Sequence, residues 1–252
     1  MRTALQYVLS VAFIAQMYLA LAIVGLGWLP FVLYDRRHAL GAVHAYCRWV
    51  RWSAARLLGL RSEVRGEPPA DEVLIAAKHQ SFFDIIIIVS AVPRPKFIMK
   101  RELLWTPIVG WYGVRIGCIP VDRGRRGAAI TRMLADVQKG RQEPGQLIIY
   151  PQGTRVAPGV SRPYKSGTAA LYQQLGQPCV PVATNVGVFW PRQAVLRKPG
   201  LAVVEFLPRI EAGLPSSTFL QRLEAEVEVA SDRLLAEAGF QWMPAAERRL
   251  GG

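Results

Sequence analysis

The sequence predicts an α/β protein. A mostly parallel central sheet is flanked by helices, and a membrane-embedded helix or helix pair precedes it. Three observations predict this. Beyond Pro68, short apolar runs of strand length alternate with helical periodicities, the pattern of a parallel sheet with crossover helices. From Thr3 to Tyr34 no residue is charged. His79 and Asp84 stand at the seam between two apolar segments, and open α/β sheets build their sites at the carboxyl ends of strands.

The charge-free run would measure roughly 48 Å as one straight helix at ~1.5 Å per residue. The hydrocarbon core of a bilayer is only ~30 Å thick. Tilt or a break must absorb the surplus, and Gly25, Gly27 and Pro30 offer a break. Two forms fit: one tilted spanning helix, or two shorter helices dipping into one leaflet. A small-residue cleavage site occurs at Ala20-Leu21-Ala22, but the apolar run continues well beyond it, unlike a signal peptide. Arg36, Arg37, Arg48, Arg51, Arg56, Arg61 and Arg65 follow, against only Asp35 and Glu63. By the positive-inside rule this side stays in the cytoplasm, which places the chain on the inner membrane with its catalytic domain facing the cytoplasm. Ala39 to Leu60 carries Trp49, Trp52 and Leu57 among the arginines. It reads as a basic amphipathic helix on an anionic surface, or as a plain helix packed on the domain.

The remaining elements follow in order. Glu72–Ala77, Pro95–Met99, Cys118–Val121, Gln146–Tyr150, Cys179–Ala183 and Leu201–Leu207 read as strands. Helical spacing of Ala128, Ile130, Met133, Leu134 and Val137 predicts a helix over 127–139. Ser166 to Leu175 is a helix ended by Gly176. Phe219, Leu220, Leu223, Val227, Ala230 and Leu234 give a final helix one apolar face, with Ser216 or Ser217 as its N-cap. The division is 1–36 membrane-embedded, 37–66 interfacial helix, 67–240 catalytic domain and 241–252 tail.

Composition narrows the partners. Lys and Arg number 31 against 18 acidic residues, a net charge of +13. That points to a polyanion: nucleic acid, an anionic membrane or a phosphate-bearing substrate. The charge is spread along the chain without a basic recognition helix, against nucleic acid. Cys47, Cys118 and Cys179 are odd in number and far apart, and no metal-ligand spacing links His38, His44 and His79. Neither a disulfide framework nor a metal site is expected.

The seam carries the chemistry. On one helix, residues five apart lie ~140° apart around the axis and do not face each other. For His79 and Asp84 to meet, His79 must lie on the loop after a strand and Asp84 in the first turn of the next helix. There the carboxylate is favoured by the helix terminus and can orient the imidazole as a general base. No G-x-S-x-G elbow surrounds Ser81 and no cysteine is near. The base would therefore act directly on a substrate hydroxyl. Three further stretches place cations at strand ends: GCIPVDRG (117–124), YPQGTR (150–155) and PYKSG (163–167). Gly153 admits close approach, Thr154 adds a hydroxyl, and Arg155 can bind phosphate bidentately.

Together these stretches resemble the glycerolipid acyltransferase family, the 1-acylglycerol-3-phosphate acyltransferases. The resemblance rests on KHQSFFD (78–84), GCIPVDR (117–123), YPQGTR (150–155) and VPVA (180–183), in family order and spacing. It implies a glycerol-3-phosphate acyltransferase-like fold over about residues 70–210. It implies that His79 deprotonates a lysophospholipid hydroxyl, with Asp84 orienting it, and that the hydroxyl attacks acyl-CoA or acyl carrier protein as co-substrate, with no other cofactor. Lys100 and Arg155 would hold the acceptor phosphate, with Gly153 and Thr154 in the same turn. Arg123 would add an anion contact or pair with Asp122. Trp105, Ile108, Gly110 and Trp111 would line the acyl-chain pocket. Lys78 stands at the family's Asn, Gln152 at its Glu, and Pro120 and Tyr150 at Phe positions. Gln152 leaves open a different acceptor, such as a lyso-ornithine lipid. A non-catalytic protein binding anionic lipid is the remaining alternative.

Overall fold

The computed structural model describes residues 2–121, 131, 135 and 144–242. The apolar run forms helix α1 (Arg2–Gly27) and a short helix α2 (Leu29–Tyr34). The break falls at Trp28, with Pro30 at the start of α2, where a missing backbone donor does no harm. Ser10, Phe13, Met17 and Ala20 are buried at helical spacing, while Leu5, Val8, Leu19, Ile23 and Leu26 are exposed on the other side. Polar ties fasten α1 along its length. Gln6 donates to the carbonyls of Leu58 and Arg197, Gln16 donates to Ser53, and the Tyr112 hydroxyl donates to the Gly25 carbonyl. Thr3–Gly27 is long and apolar enough to cross a membrane. It is tied along its length to the domain by these bonds.

Helix α3 (His38–Leu58) packs Cys47, Val50, Ala54 and Leu58 inward and leaves Trp49 and Trp52 exposed. The interfacial helix expected to 66 ends earlier: Gly59 caps it in the left-handed conformation at φ 67°, and the chain enters strand β1 (Leu60–Arg65). This corrects the 37–66 boundary. Leu60, Ser62 and Val64 alternate with Arg61, Glu63 and Arg65, the period of an edge strand hidden in an arginine-rich run.

The other strands are β2 (Leu74–Ala77), β3 (Pro95–Lys100), β4 (Ile119–Val121), β5 (Gln146–Ile149), β6 (Cys179–Thr184) and β7 (Gly200–Phe206). Among the described residues they form one sheet in the order β1-β7-β6-β2-β5-β3-β4. Every pairing is parallel except β6 with β7. Expected strand limits therefore hold to within a residue or two. Helix α4 (Phe82–Ala91) follows β2, and α5 (Val109–Arg115) precedes β4. Helix α6 (Ser166–Leu175) ends at Gly176, φ 60°, as expected. The final helix α7 (Ser216–Glu237) is capped by Pro215 without a side-chain bond, not by Ser216 or Ser217. Proline fixes φ at the turn, so the helix starts one residue early. The helix expected over 127–139 lies outside the described residues except at Thr131 and Ala135, both helical.

Alternation along β2 separates two cores. Ile75 and Ala77 face the layer of α1, α3 and α4. Leu74 and Ala76 face the layer of α6 and α7. Nearly continuous burial of β2 and β6 is what a strand covered on both faces requires.

Candidate active site

The turn after β2 is built by a capping box. Ser81 caps α4 by accepting from the Phe83 N–H at 3.2 Å. In return Asp84 Oδ2 accepts from the backbone N–H groups of Ser81 at 2.7 Å and Gln80 at 2.8 Å. Its other oxygen, Oδ1, is 2.9 Å from Nδ1 of His79. The H-x4-D spacing thus acts as the sequence predicts: His79 on the loop, Asp84 in the first helical turn. Asp84 is fully buried and the His79 side chain is 12% exposed. One carboxylate therefore stabilises the helix start and fixes the imidazole tautomer, leaving Nε2 turned away from it.

Two more contacts hold His79. Its carbonyl accepts from the Val156 N–H at 2.8 Å, which ties the histidine loop to the turn after β5. Tyr150 stacks on the imidazole with centroids 4.0 Å apart and planes at 21°. Burial, with the Asp84 carboxylate adding to it, holds the Tyr150 phenol well above its usual range. Its hydroxyl has no hydrogen-bond partner among the described residues.

The turn at 150–155 is tight. Gly153 N–H donates to the Tyr150 carbonyl at 2.9 Å, and Gly153 sits at φ 70°. A Cβ there would lie 2.6 Å from Nζ of Lys165. The left-handed backbone is what requires glycine here. Lys165 N–H donates to the Pro151 carbonyl at 3.0 Å, so the second cation-bearing loop lies on the first. Thr154 and Arg155 are half-buried in this turn. Gln152 is buried, its amide donating to the Arg162 carbonyl at 3.3 Å, with no described partner for its Oε1.

Other expected site residues fall elsewhere. Lys100 ends β3, at the same carboxyl edge of the sheet. Arg123 lies outside the described residues. Trp105 is 87% exposed, whereas Ile108, Trp111 and Tyr112 join Val24, Trp28 and Val32 in an apolar cluster linking α1 and α2 to α5. Gly110 is buried, and a Cβ there would meet the Leu103 carbonyl oxygen at 2.3 Å. Lys78 turns away from His79 into an ion pair with Glu228, which also accepts from the Tyr164 hydroxyl at 3.0 Å. Sequence reading missed the Tyr150 stack and the Glu228 pairing. The aromatic closing the QLIIY strand was a signal for the first. For the second, separated by 150 residues, there was none.

A mostly parallel α/β sheet with a histidine–aspartate pair and a glycine-containing basic turn at its strand ends fits a group-transfer enzyme. An acyltransferase family model matches residues 61–185, and the chain belongs to the acyltransferase family. It is 28% identical over 210 residues to a 1-acyl-sn-glycerol-3-phosphate acyltransferase of Pseudomonas aeruginosa, covering 82% of this chain and 81% of that one. It is 35% identical over 133 residues to the human 1-acyl-sn-glycerol-3-phosphate acyltransferase alpha, covering 51% of this chain and 47% of that one. The crystal structure of the 1-acyl-sn-glycerophosphate (LPA) acyltransferase PlsC of Thermotoga maritima superposes with a TM-score of 0.72 at 20% identity, over 93% of this chain and 99% of that one.

Proposed function

We propose that this acyltransferase moves a fatty acyl group from acyl-CoA or acyl carrier protein to the sn-2 hydroxyl of 1-acylglycerol-3-phosphate, giving phosphatidate. The observation that carries the reading is the 2.9 Å contact between His79 Nδ1 and Asp84 Oδ1. Asp84 keeps the proton on Nδ1, so Nε2 is free to take the proton of the acceptor hydroxyl. The oxygen attacks the thioester carbonyl, and collapse of the tetrahedral intermediate breaks the C–S bond. The leaving thiolate then takes the proton from Nε2. Tyr150 stacks on the ring and the Val156 N–H fixes the backbone that carries it, which lowers the entropic cost of the encounter.

Arg155, with Gly153 and Thr154, holds the acceptor phosphate in this reading, and Lys100 and Arg123 add charge. Arg guanidinium suits a bidentate phosphate contact. The cluster of Ile108 and Trp111 against α1 and α2, with Gly110 and Trp105 on the same stretch of chain, guides the acyl chain in from the membrane. The exposed face of α1 lies in one leaflet, with the catalytic domain on the arginine-rich, cytoplasmic side of the inner membrane. The catalytic unit begins at β1, and no cofactor beyond the acyl donor takes part.

A second reading rests on Gln152, whose buried side chain leaves the turn one negative charge short of the family pattern. It keeps the mechanism and changes the acceptor, to a lyso-ornithine lipid for example. The test incubates purified protein in detergent with radiolabelled acyl-CoA or acyl carrier protein. Lysophosphatidate and lyso-ornithine lipid are offered in parallel to wild type and His79→Ala. Labelled phosphatidate from wild type alone is expected. Labelled ornithine lipid alone moves the acceptor. Equal product from both proteins overturns the role of His79, and no product from either favours a lipid-binding protein.

A further inference from the structure

The PYKSG stretch carries a cation, Lys165, that has no role in the acceptor site described above. Its backbone is well fixed. The Lys165 N–H donates to the Pro151 carbonyl at 3.0 Å, and the Lys165 carbonyl accepts from the Thr168 N–H at 2.9 Å. The preceding residue, Tyr164, is buried and its hydroxyl donates to Glu228 at 3.0 Å. Lys165 occupies the N-cap position of α6, but its side chain makes no capping bond.

That side chain lies along the 150–155 turn. Its Cδ, Cε and Nζ come within 3.2, 3.0 and 2.6 Å of the point where a Gly153 Cβ would stand. Three successive atoms against one backbone position lay the stem across the turn and leave the ammonium on it. The turn in question is the one that holds His79. Tyr150 at its start stacks on the imidazole, and Val156, just past its end, donates to the His79 carbonyl. Gly153 lies midway between these two ties. Three residues span at most ~10 Å, so the ammonium stays close to the histidine loop.

Charge on this turn is unbalanced. The YPQGTR turn contains no acidic residue, and its buried side chain, Gln152, is neutral. Glu228, which accepts from Tyr164, is already paired with Lys78. Among the described residues, neither Lys165 nor Arg155 has an ion-pair or hydrogen-bond partner for its side chain. Two cations therefore flank Gly153 without an acid between them. A phosphate monoester carries about −1.5 to −2 charges at pH 7, which two cations match. Arginine offers a planar fork and lysine a compact point charge, so their donors are complementary.

We propose that Lys165 is a second cation on the acceptor phosphate, alongside Arg155, and that the pair selects a phosphate monoester over a neutral or zwitterionic lysolipid. The proposal rests on the lysophosphatidate reading above and names the residue that sets its headgroup preference.

The test separates binding from transfer. The probe is a radiolabelled monoacylated propanediol phosphate, which lacks the sn-2 hydroxyl and cannot be acylated. Its methyl phosphate ester, with one charge fewer, and its phosphate-free alcohol are the controls. Equilibrium binding is measured on the full chain in nonionic detergent for wild type, K165Q, K165R and R155Q. Binding of the probe should weaken about tenfold in K165Q, the scale of one charge-assisted hydrogen bond, and K165R should recover most of it. The methyl ester should lose less, and the alcohol should bind all four proteins alike. In steady-state transfer, K165Q should raise KM for lysophosphatidate about tenfold and leave KM for acyl-CoA unchanged. Lys165 is exposed, so K165Q should keep the wild-type melting temperature. Equal binding of the probe by wild type and K165Q would overturn the assignment. So would an equal loss for the phosphate-free alcohol, which would make the role structural, or a raised KM for acyl-CoA alone, which would move Lys165 to the donor. Failure of wild type to bind the probe would overturn the lysophosphatidate reading itself and the assignment with it. Binding that depends on Lys165 without any transfer would remove only the catalytic reading.

Discussion

Asp84→Asn separates the two tasks of one carboxylate. In the native site Oδ2 accepts from the Gln80 and Ser81 N–H groups, and Oδ1 meets Nδ1 of His79. An asparagine oxygen can keep both backbone bonds. Its amide NH₂ then faces Nδ1, and two donors cannot share that contact. His79 must present Nδ1 as an acceptor and carry its proton on Nε2. An imidazole in that tautomer cannot take a proton from the acceptor hydroxyl. The expected loss is the general-base contribution, about 10²–10⁴-fold in turnover, or about 2.7–5.5 kcal/mol of transition-state stabilisation. The fold should lose only about 1 kcal/mol, the difference between charged and neutral acceptors of the same bonds. Asp84→Ala, by contrast, leaves two buried N–H groups without an acceptor, at about 1–3 kcal/mol each. The assay is steady-state transfer of radiolabelled acyl groups, paired with thermal unfolding in the same detergent. A folded Asp84→Asn protein with near-native turnover would refute the tautomer argument.

Three other outcomes are expected. Lys78→Ala should lower stability by about 2 kcal/mol, discounted from the ~3–5 of a fully buried pair because the Glu228 side chain remains 25% exposed; turnover per folded molecule should hold, and a selective loss of turnover would return Lys78 to the site. Tyr150→Phe keeps the stack and removes a hydroxyl without a described partner, so activity and melting temperature should hold. Tyr150→Ala should reduce turnover by freeing the ring, and equal behaviour of the two variants would dismiss the stack. Burial pushes the Cys47 thiol up to about 12 and the Cys118 thiol up to about 11. The protonated form is favoured in the fold, so stability is lost as pH rises above the unfolded thiol's ~8.5 and on through the folded values. Iodoacetamide at pH 8 should therefore label neither thiol until denaturant is added, and prompt labelling would contradict their burial.

Much of the site was legible because its chemistry is local. Ser81 and Asp84 form a capping box three residues apart, and that box alone brings Asp84 round to His79. Gly153 declares a left-handed turn. Short, nearly continuous apolar runs mark the buried strands, and Gly176 marks the end of α6. β1 was missed because charged residues occupy alternate positions on an edge strand, where burial gives no strong pattern.

What the sequence determined by itself is therefore the set of elements and the local geometry around His79, since propensity, capping and turn chemistry act over a few residues. Tertiary structure decided the rest. Tyr150 covers His79 only because β5 lies beside β2 in register, Ala76 against Ile149. Lys78 meets Glu228 only because α7 folds back over the sheet. Strand order and layer packing are settled by burying the whole apolar surface at once, and no short stretch of chain carries that information.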